Sequence, residues 1–368
     1  NPSIEISCRF KSGLGYHFVK DLYVYLMNTI LITGGLGYIG SHVAHQISKK
    51  EVKIILYDNC FNSDESVFNE LKKIVSCEII FINGDILDTQ KLKNTFHKYN
   101  IDLVMHFAGL KSVPDSNIEP INYYKNNITG TISLIEAMHA CNIKKLVFSS
   151  SASIYGKPEY LPIDESHPVN PSSSYAFTKM LIENFLDDLS KRDKSWSIVA
   201  LRYFNPAGSD SSRLIGESPK SNPGNLIPAI SYAALGKIKE LKIYGDNYST
   251  EDGTGVRDFI HITDLAKGHS AALDFVEKNS SNGFHIFNLG SGKGYSVKEI
   301  IKTYQEVIQK KIKTTLMDRR DGDIAASIAD PSKANETLNW KTSKNLEDIC
   351  RSEWIWQSKR FLENKLIK

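Results

Sequence analysis

Thr29-Ile30-Leu31-Ile32-Thr33-Gly34-Gly35-Leu36-Gly37-Tyr38-Ile39-Gly40 passes from a short β-branched run through a glycine turn into a helical pattern that lasts to Ser48. Gly34, Gly37 and Gly40 make G-x-x-G-x-x-G. That spacing allows a tight turn, brings the backbone up to a pyrophosphate, and lets the helix pack close to the strand with its N-terminus facing the phosphates. A glycine triplet by itself is weak, because loops without ligands use the same residues. A second apolar run, Val52 to Leu56, ends at Asp58, eighteen residues after Gly40. An acid is expected there to bind the ribose, and it favours NAD over NADP.

The alternation continues. Glu78 to Ile82 reads as a strand ending in Gly84-Asp85-Ile86, Leu92 to Tyr99 as a helix, and Leu103 to Phe107 as a strand ending in Ala108-Gly109. Unbroken apolar strands between helices predict an α/β fold, a Rossmann-type doubly wound parallel sheet covered on both faces. Ligands gather at the C-terminal ends of such strands, where Asp85, Phe107, Ala108 and Lys111 fall. For Asp85 the alternative is a turn or helix cap. Tyr123 to Ala140 reads as one long helix containing Asn126 and Asn127, and Lys145 to Phe148 as the strand that delivers Ser149-Ser150-Ser151.

Twenty-four residues after Ser151, a helix start at Pro171-Ser172-Ser173-Ser174 carries Tyr175 and Lys179, four apart and so on one helical face. A lysine beside a phenol favours the phenolate. Bringing a tyrosine from about 10 to near 7 takes roughly 4 kcal/mol. One cation at about 4 Å in an effective dielectric of ~20 supplies about that much, and an oxidised nicotinamide adds a second charge. The spacing is not diagnostic, since Tyr16 and Lys20 repeat it.

After Val199 to Phe204 the pattern changes. Asn205-Pro206-Ala207-Gly208 ends a strand, and a polar, Pro/Gly-rich stretch runs to Pro228, which predicts a substrate lobe inserted after the last core strand. Phe259 to Ile262 leads into a helix through Phe275, and His285 to Leu289 is a further strand. Trp340, Trp354 and Trp356 are read as core. An apolar content of 41% in 368 residues is ample for a core. The formal charge of +3, with both signs nearly balanced, gives no global reason to expect nucleic acid or an anionic membrane as partner. Cysteines at 8, 60, 77, 141 and 350 show no C-x-x-C, so reduced thiols, a cytoplasmic protein and no metal are expected. No apolar run approaches the roughly 20 residues that span a bilayer. Residues 1–26 are read as an extension outside the fold, with an organellar targeting piece as the alternative.

Taken together, Thr33-Gly34-x-x-Gly37-x-x-Gly40, Asp58-Asn59, Gly84-Asp85-Ile86, Phe107-Ala108-Gly109-Leu110-Lys111, Ser149-Ser150-Ser151-Ala152-x-x-Tyr155-Gly156 and Tyr175-x-x-x-Lys179 resemble the extended short-chain dehydrogenase/reductases. Arg202-Tyr203-Phe204-Asn205-Pro206, Thr250 to Asp258 and Arg320-Asp321-Gly322-Asp323 narrow the resemblance to the UDP-glucose (UDP-galactose) 4-epimerase family, from about Met27 to about Trp356. The resemblance implies retained NAD held by Gly34, Gly37, Tyr38, Ile39, Gly40, Asp58, Asn59, Asp85, Ile86, Phe107, Ala108, Lys111, Asn126, Ser149, Tyr175, Lys179 and Tyr203. It implies a UDP-hexose held by Ser151, Tyr175, Asn205, Asn225, Leu226, Tyr244, Arg257, Arg320, Asp323 and Ser327. Catalysis would fall to Tyr175 as base, Lys179 beside it and Ser151 on the sugar O4, with oxidation to a 4-keto sugar and re-reduction on its other face.

Arg257 and Arg320 are alternatively structural ion-pair partners. Implied domains are a leader at 1–27, an NAD-binding domain at 28–205 with 259–290 returning to it, and a smaller UDP-sugar-binding domain at 206–258 and 291–360. A homodimer through Tyr124 to Ala140 and Met180 to Leu189 is implied as well. Ser327 stands where forms restricted to unacetylated hexoses carry tyrosine, which implies turnover of UDP-GlcNAc and UDP-GalNAc. Two readings compete. A nucleotide-sugar 4,6-dehydratase would need Asp-Glu just after the rim serine, where this chain has Ala152-Ser153. A non-catalytic NAD-binding sensor would be expected to have lost the tyrosine or the lysine.

Overall fold

The computed structural model describes residues 28–219, 223–278, 282–320 and 322–366. The proposed leader, with Tyr16 and Lys20, and Asp321 lie outside the described residues. The strands are β1 (Asn28–Thr33), β2 (Val52–Asp58), β3 (Ile79–Asn83), β4 (Leu103–His106), β5 (Lys145–Ser151), β6 (Ser197–Tyr203), β7 (Asn205–Ala207), β8 (Leu241–Tyr244), β9 (Val256–His261), β10 (Gly283–Leu289), β11 (Gly294–Ser296), β12 (Thr314–Met317) and β13 (Ala326–Ser327). The helices are α1 (Tyr38–Ile47), α2 (Ser66–Leu71), α3 (Thr89–Tyr99), α4 (Val113–Ile118), α5 (Pro120–Tyr123), α6 (Gly130–Ala140), α7 (Ser174–Arg192), α8 (Leu226–Ala234), α9 (Ile262–Glu277), α10 (Val297–Ile308), α11 (Ser332–Thr337) and α12 (Leu346–Leu366).

Seven strands form one parallel sheet in the order β10-β6-β5-β4-β1-β2-β3. Its residues alternate between two apolar layers, which is why each strand is apolar throughout. Ile30, Ile32, Ile54, Leu56, Met105, Val147, Val199 and Leu201 join the layer that contains α1 and α9. Leu31, Ile55, Tyr57, Val104, Leu146, Phe148, Ile198 and Ala200 join the layer that contains α3, α6 and α7. Chain order reverses between β1 and β4, the position where open α/β sheets bind ligands.

The backbone is tightest at that reversal. Gly34 has φ +66°, and a Cβ there would lie 2.7 Å from the backbone nitrogen of Ala108, beyond β4. A Cβ on Gly40 would lie 2.3 Å from the Gly34 carbonyl oxygen, so α1 rests directly on the turn before it.

Outside the sheet, β9 pairs with β7, β11 and β13, while β8 pairs with β12. An apolar cluster from α8, α10, α12 and these strands includes Ile227, Ile230, Leu241, Tyr304 and Cys350. Asn205 to Ala207 does not finish a core strand as the sequence suggests. β6 stops at Tyr203, and the proline-containing segment pairs with β9 instead, Asn205 opposite Phe259. The long helix expected at Tyr123 to Ala140 is also divided. A π-helical turn, Tyr124–Thr129, separates α5 from α6. Its wider backbone lets the Asn127 side chain turn inward to Leu110. Trp340 and Trp356 are core: their indole N–H groups donate to the carbonyls of Asp264 (2.9 Å) and Glu217 (2.8 Å).

Replacing Gly40 with alanine forces two pieces of backbone apart and is expected to cost about 1–3 kcal/mol. Denaturant unfolding of the ligand-free chain measures it, and an unchanged midpoint would contradict the close approach.

Candidate active site

Ser173 caps α7 by accepting from Ala176 N (3.2 Å), which places Tyr175 in the first turn and Lys179 one turn deeper. Beside α7, β5 ends at Ser151. Ser151 shares a hydrogen bond with the Tyr175 phenol, and its hydroxyl also accepts from Ser153 N (3.2 Å). Lys179 is buried and donates to the Ser149 carbonyl at 2.7 Å. Its ammonium lies 4.8 Å from the Phe148 ring centre and 5.9 Å from that of Tyr175.

The three proposed catalytic residues are therefore together, but the phenol is not poised as the sequence suggests. Burial pushes Tyr175 up to about 12, the Ser151 hydrogen bond opposing it and Tyr123 adding to it. Lys179 is pushed down to about 8 by burial, with Glu183 opposing. Lys179 directs one proton to a backbone carbonyl and its ammonium lies 5.9 Å from the phenol ring centre, and in the chain alone desolvation of the phenolate dominates.

The residues proposed for the cofactor lie mostly at and beyond the C-terminal ends of β1 to β6, with Asn126 in the π-helical turn and Tyr175 and Lys179 on α7. Asp58 accepts from Leu36 N (3.0 Å) in the glycine turn and from Cys60 N and Ser63 Oγ (both 2.8 Å). Asn59 donates to Asp85 at 3.0 Å, and Asp85 accepts from Leu87 N (2.9 Å). Ile86 is buried. Ala108 N donates to Thr33 Oγ1 (3.3 Å), and the Phe107 ring packs 5.0 Å from that of His269. Tyr38 and Ile39 open α1, and the Tyr38 hydroxyl donates to the Gly208 carbonyl at 2.6 Å. Tyr203, pushed up by burial, meets His269 Nε2 at 2.5 Å. His269 Nδ1 faces the Leu265 carbonyl (2.9 Å), so it carries the proton and Nε2 accepts from Tyr203.

Two residues that sequence reasoning missed organise this rim. Asn127, rather than Asn126, is buried and central. It donates to Leu110 O (3.0 Å) and Thr178 Oγ1 (3.1 Å) and accepts from Leu110 N (2.8 Å), while Asn126 donates to its Oδ1 at 2.9 Å. Glu217 accepts from both Lys111 (3.0 Å) and Asn225 (2.9 Å), which joins a residue assigned to the cofactor with one assigned to the substrate. Nothing in the local sequence around Glu217 marks it.

The remaining substrate candidates lie in the smaller lobe. Asn205 opens β7, Asn225 is the N-cap of α8, and Leu226 is its first residue. Arg257 stands on β9 opposite Ser327 of β13 and 3.9 Å from Asp323, so the ion-pair alternative describes its geometry here. Arg320 stacks on Tyr244, 3.7 Å from the ring centre. Among the described residues, no group of three or more His, Cys, Asp or Glu is placed to hold a metal ion.

A doubly wound sheet with a glycine turn at its switch point and a Ser–Tyr–Lys set beside it defines an extended short-chain dehydrogenase/reductase. A family profile described as GDP-mannose 4,6 dehydratase matches residues 31–353. The chain is 45% identical over 329 residues to the UDP-glucose 4-epimerase of Bacillus subtilis, covering 89% of this chain and 96% of that one. Among solved structures, a UDP-glucose 4-epimerase from Stenotrophomonas maltophila, with bound NAD and formylated UDP-arabinopyranose, superposes with a TM-score of 0.89 at 39% identity. That match covers 92% of this chain and 99% of the other. The UDP-Glc/GlcNAc 4-epimerase of Campylobacter jejuni superposes with a TM-score of 0.78 at 36% identity, over 90% and 99% of the two chains. The chain belongs to the UDP-glucose 4-epimerase family.

Asn127→Ala leaves both backbone groups of Leu110 without their partner and is expected to cost about 2–3 kcal/mol, against less than about 1 for Asn126→Ala. Paired denaturant curves decide this, and equal costs would contradict the assignment of the central role to Asn127.

Proposed function

We propose that the chain interconverts UDP-galactose and UDP-glucose by epimerisation at C4, using NAD that stays bound. The observation that carries this reading is the Ser151–Tyr175–Lys179 set, half-buried at Ser151 and Tyr175 and buried at Lys179, at the strand ends beside the switch-point turn. The turn suits a pyrophosphate. Its helix starts at Gly37 with no side chain capping it, and a Cβ at Gly37 would find only the Gly34 carbonyl within 4 Å. Asp58 would hold the ribose, and Asp85, Phe107, Lys111, Ser149 and Tyr203 would line the rest of the site. NAD, when bound, supplies the two-electron acceptor that makes the sugar C4 a ketone and returns the pair on the opposite face.

The chain's own residues do the remaining work. Ser151 holds the sugar O4 and relays its proton, and Tyr175 takes that proton as base. Lys179 keeps a cation beside the phenol and would bond the nicotinamide ribose. Burial raises Tyr175 to about 12 in the chain alone, and the positive charge of an oxidised nicotinamide would lower it. Asn205, Asn225, Leu226, Tyr244, Arg257, Arg320 and Asp323 would fix the UDP. The hexose is held loosely enough to turn over between the two half-reactions.

The smaller domain is assigned to UDP-sugar binding and the larger to NAD. A homodimer through the helices around α6 and α7 is supported by apolar side chains exposed there, Ile121, Tyr124, Ile132, Phe177 and Leu181 among them. A reducing compartment, the cytoplasm, is supported by the unbridged thiols of Cys77, Cys141 and Cys350. Among the described residues, no helix is long and apolar enough to cross a membrane.

Purified protein given UDP-galactose and no added NAD is expected to form UDP-glucose, as separation of the sugar nucleotides would show. Tyr175→Phe should lower the rate by about 10²–10⁴-fold while keeping the cofactor, whereas a silent sensor would form no product before or after the change. The small Ser327 side chain leaves room for an N-acetyl group at C2. UDP-GalNAc turnover is therefore expected, and Ser327→Tyr should remove it while sparing UDP-galactose turnover. Loss of both activities would sink the C2 assignment.

A further inference from the structure

Tyr175, Lys179 and Glu183 succeed one another at intervals of four on α7, so all three share a face. Lys179 nonetheless donates to the Ser149 carbonyl (2.7 Å) and not to Glu183. The Glu183 carboxylate is occupied elsewhere. It accepts from Arg202 Nε (3.1 Å) and Nη2 (2.6 Å) of β6, and from the Ser150 hydroxyl. Arg202 Nη1 donates to the Tyr155 hydroxyl (2.8 Å), which donates to Asn288 Oδ1 (2.7 Å). Lys179, Glu183 and Arg202 are all buried. A buried ion pair of this kind is weak support for stability in itself, which leaves its position to be explained.

Two cations and one anion leave a single net positive charge in this buried cluster, whose Lys179 end lies 5.9 Å from the Tyr175 ring centre. We propose that Arg202 and Glu183 are positioning residues that set this charge: Arg202 engages the carboxylate and so keeps Glu183 from neutralising Lys179, the cation that Tyr175 needs. The inference rests on Tyr175 being the base. Among the described residues, only Glu165 of the other titratable groups facing this cluster brings a charge. His106 on β4, bonded to Thr33 and Thr131 hydroxyls, is pushed down to about 3 by burial and carries no charge. Tyr123 on α5, Tyr155 after β5 and Tyr203 on β6 are all pushed up. Glu165 interacts with Arg202 and Tyr155 and is itself offset by Lys333.

The two residues predict opposite shifts, which a merely structural role does not. Without the anion, Glu183→Gln leaves two uncompensated cations in the cluster, Lys179 the nearer to Tyr175. The acid limb of the turnover-against-pH curve should then move down by about one unit. The alkaline limb should fall too, because Glu183 supports the charge on Lys179. With Arg202→Gln the freed carboxylate pairs with Lys179, and the acid limb should rise by about one unit. The double variant removes one charge of each sign and should return the limb to the wild-type position. It also avoids a lone buried carboxylate, so it and Glu183→Gln carry the test where Arg202→Gln does not fold.

A second readout is independent of turnover: ultraviolet difference titration of the phenolate in the protein as purified, with Tyr175→Phe as the subtracted reference. Its midpoint should move in the same order. Shifts of one sign in both single variants, no shift in Glu183→Gln, or a displaced double variant would each overturn the proposal. A wild-type chain with no phenolate step beyond that of Tyr175→Phe would instead overturn the base assignment on which it rests.

Discussion

Everything at the candidate active site is referred to one close backbone contact, where the turn after β1 meets the loop after β4. Gly34 lies so near Ala108 that a single added carbon would fall 2.7 Å from its nitrogen, and Gly40 lies equally tight on Gly34. This contact fixes how far apart the two halves of the sheet lie at the reversal of strand order. Parallel pairing then carries the alignment outward, Thr33 beside His106 and Ser151 beside Tyr203. A side chain at either glycine would widen the crevice from which Asp58, Asp85, Ser149 and Tyr175 all take their positions.

Burial governs the chemistry that can occur there. Taking a phenol, an ammonium and two imidazoles out of water pushes Tyr175 up, and Lys179, His106 and His269 down. The site in the chain alone therefore favours neutral groups, with Lys179 kept charged by Glu183 one turn away. Small changes of net charge have large leverage in such surroundings, because little water is present to screen them. The Arg202–Glu183 pair is buried in such surroundings.

Glu217 links the sheet to the elements outside it. It lies in the polar stretch after β7, accepts from Lys111 of the sheet domain and from Asn225 at the start of α8, and has its carbonyl held by Trp356 and Gln357 of α12. One carboxylate thus ties the loop after β4 to the smaller lobe, and the indole that looked like core filling in the sequence holds that carboxylate's backbone in place.

The sequence alone was enough for the doubly wound sheet, the glycine turn, Asp58 at the end of β2 and the Tyr175–Lys179 face of α7. These follow from local rules: two-sided burial makes strands apolar throughout, a turn of fixed geometry demands glycine, and helical spacing is constant. It could not decide between Asn126 and Asn127, because a π-helical turn shifts which side chain faces Leu110 and no local pattern announces such a turn. Nor could it pair Glu217 with Lys111 or Glu183 with Arg202, residues 106 and 19 positions apart that meet only through folding. Nor does helical spacing reveal the surroundings of Tyr175. Spacing places a cation one turn away, but only the tertiary structure shows that Lys179 bonds a carbonyl and that burial, not the lysine, dominates the phenol.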